Sequence, residues 1–141
     1  PKVRPALLQI GKAEVVSEGT DVALIGLGDM FTVAQQAKKL LEEKGLSVAL
    51  VNPRWIKPMD AACLEAVARK VKVVCTLEDH VLMNGFGCGV IELLNDADIK
   101  TPVVRVGWPD AFVEHGSVPI LRKKHGLTAE ACVAKVLAKL G

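Results

Sequence analysis

Apolar and polar positions alternate along the chain in two rhythms, and the switch between them predicts the elements. Asp21 to Leu27 (DVALIGL), apolar through Val22 to Ile25, predicts a fully buried strand of the kind covered on both faces. Gly28-Asp29 then turns the chain into a helix predicted over 30–44. Met30, Val33, Ala34, Ala37, Leu40 and Leu41 recur there at helical spacing, with Lys38, Lys39, Glu42 and Glu43 on the wet side. Asp29 is placed to cap this helix and Gly45 to stop it. Ser47 to Val51 predicts the next strand, and Pro58 with an Asp60 cap introduces a helix to Lys70 with Leu64, Val67 and Ala68 inward. Lys72 to Leu77 and Val103 to Val106 are two further buried strands. Between them the glycine-rich turn Asn84 to Gly89 leads into a helix through Asn95. Ser117 is expected to cap a short helix to Lys124. Thr128 is expected to cap a last one, with Cys132, Val133, Val136, Leu137 and Leu140 as its stripe. Ahead of all this, Leu7–Ile10 and Ala13–Val16 flank Gly11-Lys12 as a short bent strand or edge ribbon. Strands alternating with helices predict a doubly wound α/β sheet.

Composition supports one domain with an adequate core. At 141 residues and 50% hydrophobic, a folded chain of this mass exposes about 7,000 Å² of the roughly 22,000 Å² of its extended form. Disorder is excluded, because disordered chains lack the apolar surface that offsets ordering entropy. The 18 basic and 16 acidic residues are interspersed and leave a net charge of +2, so no nucleic-acid footprint emerges. The apolar runs are far too short for a membrane helix, and no signal peptide opens the chain. Cys63, Cys75, Cys88 and Cys132 form no C-x-x-C pair and read as reduced, packed thiols of a cytoplasmic protein. The chain starts Pro1-Lys2-Val3-Arg4-Pro5 without Met, which reads as a piece of something longer.

Ligands of such sheets bind beyond the carboxyl ends of the strands, so the chemistry is sought in those turns. Gly26-Leu27-Gly28-Asp29-Met30-Phe31 begins like a dinucleotide fingerprint. It has Phe31 where a third glycine belongs and a carboxylate where a pyrophosphate would sit. In Asn52 to Asp60, Arg54 and Lys57 read either as an anion clamp or interface pair, or as groups bonded to neighbouring turns. In Leu77-Glu78-Asp79-His80, acid and imidazole suit acid–base or metal chemistry, or the carboxylates accept N–H groups of the glycine turn. His115 and His125 have no ligand-like spacing to His80. Trp108, with Pro109, Asp110, Glu114 and His115, reads as a subunit contact or as a cap on the sheet.

These same turns resemble a known family. Ile10-Gly11-Lys12-Ala13-Glu14-Val15-Val16, Glu18 to Ile25 and Val51-Asn52-Pro53-Arg54-Trp55-Ile56-Lys57-Pro58-Met59-Asp60 resemble the C-terminal domain of the transketolase group of thiamine-diphosphate enzymes. Leu77-Glu78-Asp79-His80 through Gly89, Val106-Gly107-Trp108-Pro109-Asp110-Ala111-Phe112-Val113-Glu114-His115-Gly116, and Leu121 to Ala129 look most like the 1-deoxy-D-xylulose-5-phosphate synthases within that group. The chain departs from the family pattern at Trp108, usually aliphatic, at Pro53, and near Asp79 and His80, where a second glutamate and an asparagine are common. The first half also fits the β subunit of 2-oxo acid dehydrogenases, the alternative reading. A free-standing α/β binding module is the other.

The resemblance implies a three-layer α/β/α fold with a doubly wound, mostly parallel five-stranded sheet and one antiparallel edge strand. Residues 1–6 would be a linker from a missing upstream domain and 7–141 the transketolase-type domain. It implies a two-carbon transferase whose thiamine diphosphate and Mg²⁺ are held by other domains, the magnesium through a Gly-Asp-Gly motif not present here. No catalytic, cofactor-binding or metal-ligating residue is therefore assigned in this chain, which is expected to be inactive alone. Its partners would be the upstream domains and a second copy in a homodimer, with neither nucleic acid nor membrane. Arg54, Lys57, Glu78, His80, Trp108, Asp110 and His115 are the candidate interface residues.

Overall fold

A computed structural model describes residues 6–141; residues 1–5 of the expected linker lie outside the described residues. The chain runs β1 (Glu14–Ser17), β2 (Val22–Gly26), α1 (Met30–Glu42), β3 (Val48–Asn52), α2 (Ala61–Lys70), β4 (Val73–Val81), α3 (Phe86–Asp96), β5 (Val103–Trp108), α4 (Val118–His125) and α5 (Ala129–Leu140). The five strands lie in the order β1-β3-β2-β4-β5. β1 is antiparallel to β3, and every other neighbour is parallel. This is the expected architecture.

Alternation of side chains across the sheet builds two cores. Val22 and Leu24 of β2 and Val73, Cys75 and Leu77 of β4 face α1 and α5, packing on Ala34, Leu41, Cys132 and Val136. Ala23, Ile25 and Val74 point the other way, under Leu64 and Val67 of α2 and Phe86, Val90 and Leu94 of α3. β2, the central strand, is buried at all five positions, whereas the edge strand β1 alternates between exposed and half-buried.

Local chemistry sets the element ends. Asp60 caps α2, its Oδ1 accepting the Cys63 N–H at 3.2 Å. Its Oδ2 accepts the Ala13 N–H at 2.9 Å, which pins the segment before β1 to the same turn. Thr128 caps α5 through the Ala131 N–H at 3.2 Å. Gly126 ends α4 in the left-handed conformation, φ 78°, a region that favours glycine.

Four expectations need correction. Asp29 precedes α1 but its side chain makes no cap bond, because Arg122 takes the carboxylate. Ser117 likewise makes no side-chain cap bond. Leu7–Ile10 is not part of a strand; β1 starts at Glu14. Leu137 is 37% exposed and lies off the buried stripe of α5, which is Ala129, Cys132, Val133 and Val136. In addition β4 runs four residues past Leu77, to Val81. No helix among the described residues is long and apolar enough to cross a membrane.

Candidate functional site

The connections leaving β2 and β4 diverge, one through α1 to β3 and the other through α3 to β5. Their carboxyl ends therefore form the switch point where ligands of open α/β sheets sit. A cavity of about 400 Å³ opens there, walled by Leu27 after β2, Ile56 and Lys57 after β3, Glu78 and His80 of β4, and the start of α3.

Glu78 is fully buried. Strand alternation turns it toward α3, where Oε2 accepts the Phe86 N–H at 2.6 Å and Oε1 the Gly87 N–H at 2.9 Å. The free amides of a helix N-terminus and its positive dipole end make an anion site, and this one is filled by the protein's own carboxylate. Gly87 is required by close approach: a Cβ there would stand 2.6 Å from Thr76 Oγ1 and 3.0 Å from Glu78 Oε1. Thr76 Oγ1 is buried with no hydrogen-bond partner.

The second helix pointing at the switch point, α1, also meets an acid. Asp29 accepts from Arg122 Nη2 at 2.5 Å, and the same guanidinium nitrogen reaches Asp79 Oδ2 at 2.9 Å. Asp79 accepts in turn from Trp108 Nε1 at 2.6 Å, and the Trp108 ring packs at 58° on the His125 imidazole, centroids 5.6 Å apart. Arg122 is raised above its already high ordinary pKa, first by Asp29 and then by Asp79. This chain of contacts ties α4 to the ends of β4 and β5 and to the first turn. Glu114 adds a clasp to Lys124 and to His125 Nε2, the latter at 3.2 Å.

Of the residues singled out by sequence, Lys57, Glu78 and His80 meet at the first cavity and His80, Trp108 and Asp110 at a second, while Arg54 and His115 line neither. Arg54 sits in the left-handed region, φ 57°, its N–H donating to Asn52 Oδ1 and its guanidinium paired with Glu14. Lys57 is exposed at the cavity wall. His80 is exposed, its Nδ1 2.7 Å from the Val81 carbonyl. Asp110 is exposed beside a second cavity of about 660 Å³ formed by Asp79–Val81 and Trp108–Val113. His115 is exposed. Of the two residues that hold the network together, Asp29 is read from sequence as a helix cap and as a carboxylate in the place of a pyrophosphate, and nothing local marks Arg122.

A magnesium-bound diphosphate does not fit these groups. The amides it would need at α3 are taken, carboxylates stand at both helix starts, and no cluster of three or more metal-ligating side chains occurs among the described residues. Two of the four cysteine thiols are sealed in the core, Cys63 is half-buried, and Cys88 lines the first cavity with Arg105 Nη1 3.0 Å from its sulfur. All four are free. Cys75 and Cys132 are buried with sulfurs 3.5 Å apart, and the neighbouring Cys132 sulfur together with burial pushes the Cys75 thiol well above its ordinary pKa. The Glu78 and Arg122 contacts lock loops and one helix at the carboxyl end of the sheet.

Known proteins place this arrangement. Residues 11–132 match the profile of the family described as "Transketolase, C-terminal domain". The 1-deoxy-D-xylulose-5-phosphate synthase of Methylacidiphilum infernorum is 48% identical over 136 residues, which is 96% of this chain and 22% of that protein. The synthase of Acidobacterium capsulatum is 47% identical over 135 residues, with the same coverage of both chains. The chain thus spans about a fifth of the length of the curated relatives it matches. A solved structure titled "Split gene transketolase, inactive beta4 tetramer" superposes with a TM-score of 0.89 at 35% identity, covering 99% of this chain and 46% of the other. A 2-oxoglutarate:ferredoxin oxidoreductase from Magnetococcus marinus shares the fold, with a TM-score of 0.60 at 22% identity over 92% of this chain and 19% of that one. The chain belongs to the transketolase C-terminal domain family.

Proposed function

We propose that this chain is the C-terminal domain of a 1-deoxy-D-xylulose-5-phosphate synthase, the enzyme that joins pyruvate and glyceraldehyde 3-phosphate into 1-deoxy-D-xylulose 5-phosphate with loss of CO₂. The observation that carries the reading is the 48% identity over 96% of the chain to one such synthase, reached within a single fifth of that protein. Thiamine diphosphate and magnesium supply the carbanion chemistry when bound to the other domains. Residues 7–141 bind neither and perform no step alone. They brace the catalytic domains in a cytoplasmic homodimer, and Arg54, Lys57, His80, Trp108, Asp110 and His115 lie on or beside the faces turned to those neighbours.

A domain exchange tests this. Residues 7–141 replace the matching segment of the M. infernorum synthase, and CO₂ release from pyruvate is followed with and without glyceraldehyde 3-phosphate. The expected result is an active chimera and an inactive isolated chain. A folded chimera without activity, or turnover by the isolated chain, overturns the reading.

A further inference from the structure

The two edges of the sheet are finished differently. β1, at one edge, is short, and its pairing with β3 shifts register between Val15 and Ser17. Its Glu14 is tied to Arg54. Irregular, charged edges of this kind resist further pairing. β5, at the other edge, keeps an unbroken parallel register against β4 from Val103 to Val106. The Val74 N–H donates to the Pro102 carbonyl at 2.9 Å. Pro102 and Val104 therefore turn their backbone groups inward to β4, and Val103 and Arg105 turn theirs outward. Residues 101–105 are half-buried, whereas the β4 residues opposite them are buried. Among the described residues, Lys135 Nζ takes the Arg105 carbonyl at 3.0 Å, and the Val103 N–H and C=O and the Arg105 N–H are left without a partner.

The two flanks of this edge differ in chemistry. On the α3 side a cavity of about 250 Å³ is floored by Leu94, Ile99 and Val103 and opens beside Ile91, 39% exposed. On the α5 side stand Lys135 and Lys139, one turn apart on the same flank of the helix. Both are exposed, and neither meets a carboxylate among the described residues. A strand added to β5 alternates its side chains between these two flanks. Apolar residues at every second position enter the α3 cavity, and acidic residues between them meet the two ammonium groups. A second copy of this chain is the wrong occupant, because pairing β5 with β5 brings the lysines of both copies together, and like charges across a strand pair destabilise it.

We infer that the outer edge of β5 binds an extended segment of a partner protein in which apolar and acidic residues alternate, adding a sixth strand to the sheet. Main-chain bonds to Val103 and Arg105 hold the segment. Ile91 and Ile99 select its apolar positions, and Lys135 and Lys139 its acidic ones. Lys135 covers the Arg105 carbonyl while the edge is empty and turns to a carboxylate of the segment when it is filled. The edge lies away from the turns at the carboxyl end, so the inference stands independently of the proposed function.

The test uses the full-length polypeptide and a capped peptide alternating isoleucine and glutamate over the length of β5, followed by fluorescence anisotropy and amide hydrogen exchange. A peptide with lysine in place of each glutamate is the control. The acidic peptide should bind saturably and the lysine peptide about tenfold more weakly. Exchange at Val103 and Arg105 should slow on binding, while the β1 amides stay as they were. Val103→Pro removes one outward N–H without touching the β4 ladder, a place where an edge strand tolerates proline. Lys135→Glu combined with Lys139→Glu reverses the charged flank at exposed positions and keeps the fold. Each should weaken binding by about tenfold or more, and the lysine pair carries the test alone if Val103→Pro does not fold. Absent binding, equal binding of the two peptides, unchanged exchange at Val103 and Arg105, or parental affinity in the double lysine variant overturns the inference. Val103 and Arg105 amides already protected without peptide assign the edge to a second copy or to another part of the protein, and overturn it as well.

Discussion

Helices α4 and α5 follow one another with three residues between them, yet opposite forces hold them. α5 buries Ala129, Cys132, Val133 and Val136 against α1 and the sheet. α4 buries no residue and stays in place through Arg122, the His125–Trp108 stack and the Glu114 clasp. Apolar burial contributes about 25 cal/mol per Å² and is insensitive to geometry, so α5 is anchored by many small terms. A guanidinium between two carboxylates acts only in one geometry and is screened by salt, so α4 is anchored by few. The difference separates what folds the domain from what presents its surface.

The largest expected effect is at the joint between the two helices. Leu127 is 1% exposed and belongs to the core under α5. Leu127→Ala should cost about 2–5 kcal/mol, transfer and cavity together, read as a lower urea midpoint with α5 and α1 loosened together. A loss below about 1 kcal/mol would mean that α5 is held as lightly as α4. Next comes Glu78→Ala, which strips the Phe86 and Gly87 amides of their acceptor. Leaving buried donors unpaired costs about 1–3 kcal/mol, and a Glu78→Gln variant, which keeps an acceptor oxygen, should recover part of the loss.

The same division decides what could be read from sequence. β2, β3, β4, α1, α2 and α5 follow from apolar periodicity and from the Asp60 and Thr128 caps, because burial writes itself into residue type at regular spacing. The Glu78 contact to the glycine turn was one of two open readings, and the fold decided it by strand alternation. The Arg122 network was not legible. Asp29 and Arg122 are 93 positions apart, and an acid ahead of a helix carries the same local signal whether it caps that helix or pairs with a distant arginine. Leu137 was misread for a related reason. At 100° per residue it falls about 40° beyond Val133, past the edge of the buried stripe, while Leu140 further along still packs on the core.

Arg122→Ala sharpens the comparison further. The pairs it loses are with carboxylates that remain 63% and 40% exposed, so global stability should change by no more than about 1 kcal/mol. Local opening of 118–125 should rise well beyond that of 129–140, checked by amide exchange across both helices. Both contacts come from the single nitrogen Nη2, so Arg122→Lys, which keeps the charge but has a shorter and more strongly hydrated head group, should fall between alanine and the parent. Equal opening of the two helices in Arg122→Ala would erase the distinction between them.

The smallest effect is a pH dependence confined to α4. Glu114 is held at a pKa of about 2, against 4.5 for the free side chain, by the Lys124 ammonium first, then by its own backbone N–H and by His125. A carboxyl with a depressed folded pKa contributes stability that is complete above the unfolded value and disappears as pH falls through the folded one. The clasp should therefore persist unchanged above pH 4.5 and dissolve between there and about pH 2. The group is exposed to solvent, so the change is local and weakened by salt. Amide chemical shifts of residues 114–126 should move over this interval while those of α5 stay, and Glu114→Gln should flatten the transition. If α5 moved with α4 in the parent and in Glu114→Gln alike, the acid response would belong to the core rather than to the clasp, and the two helices would share one support.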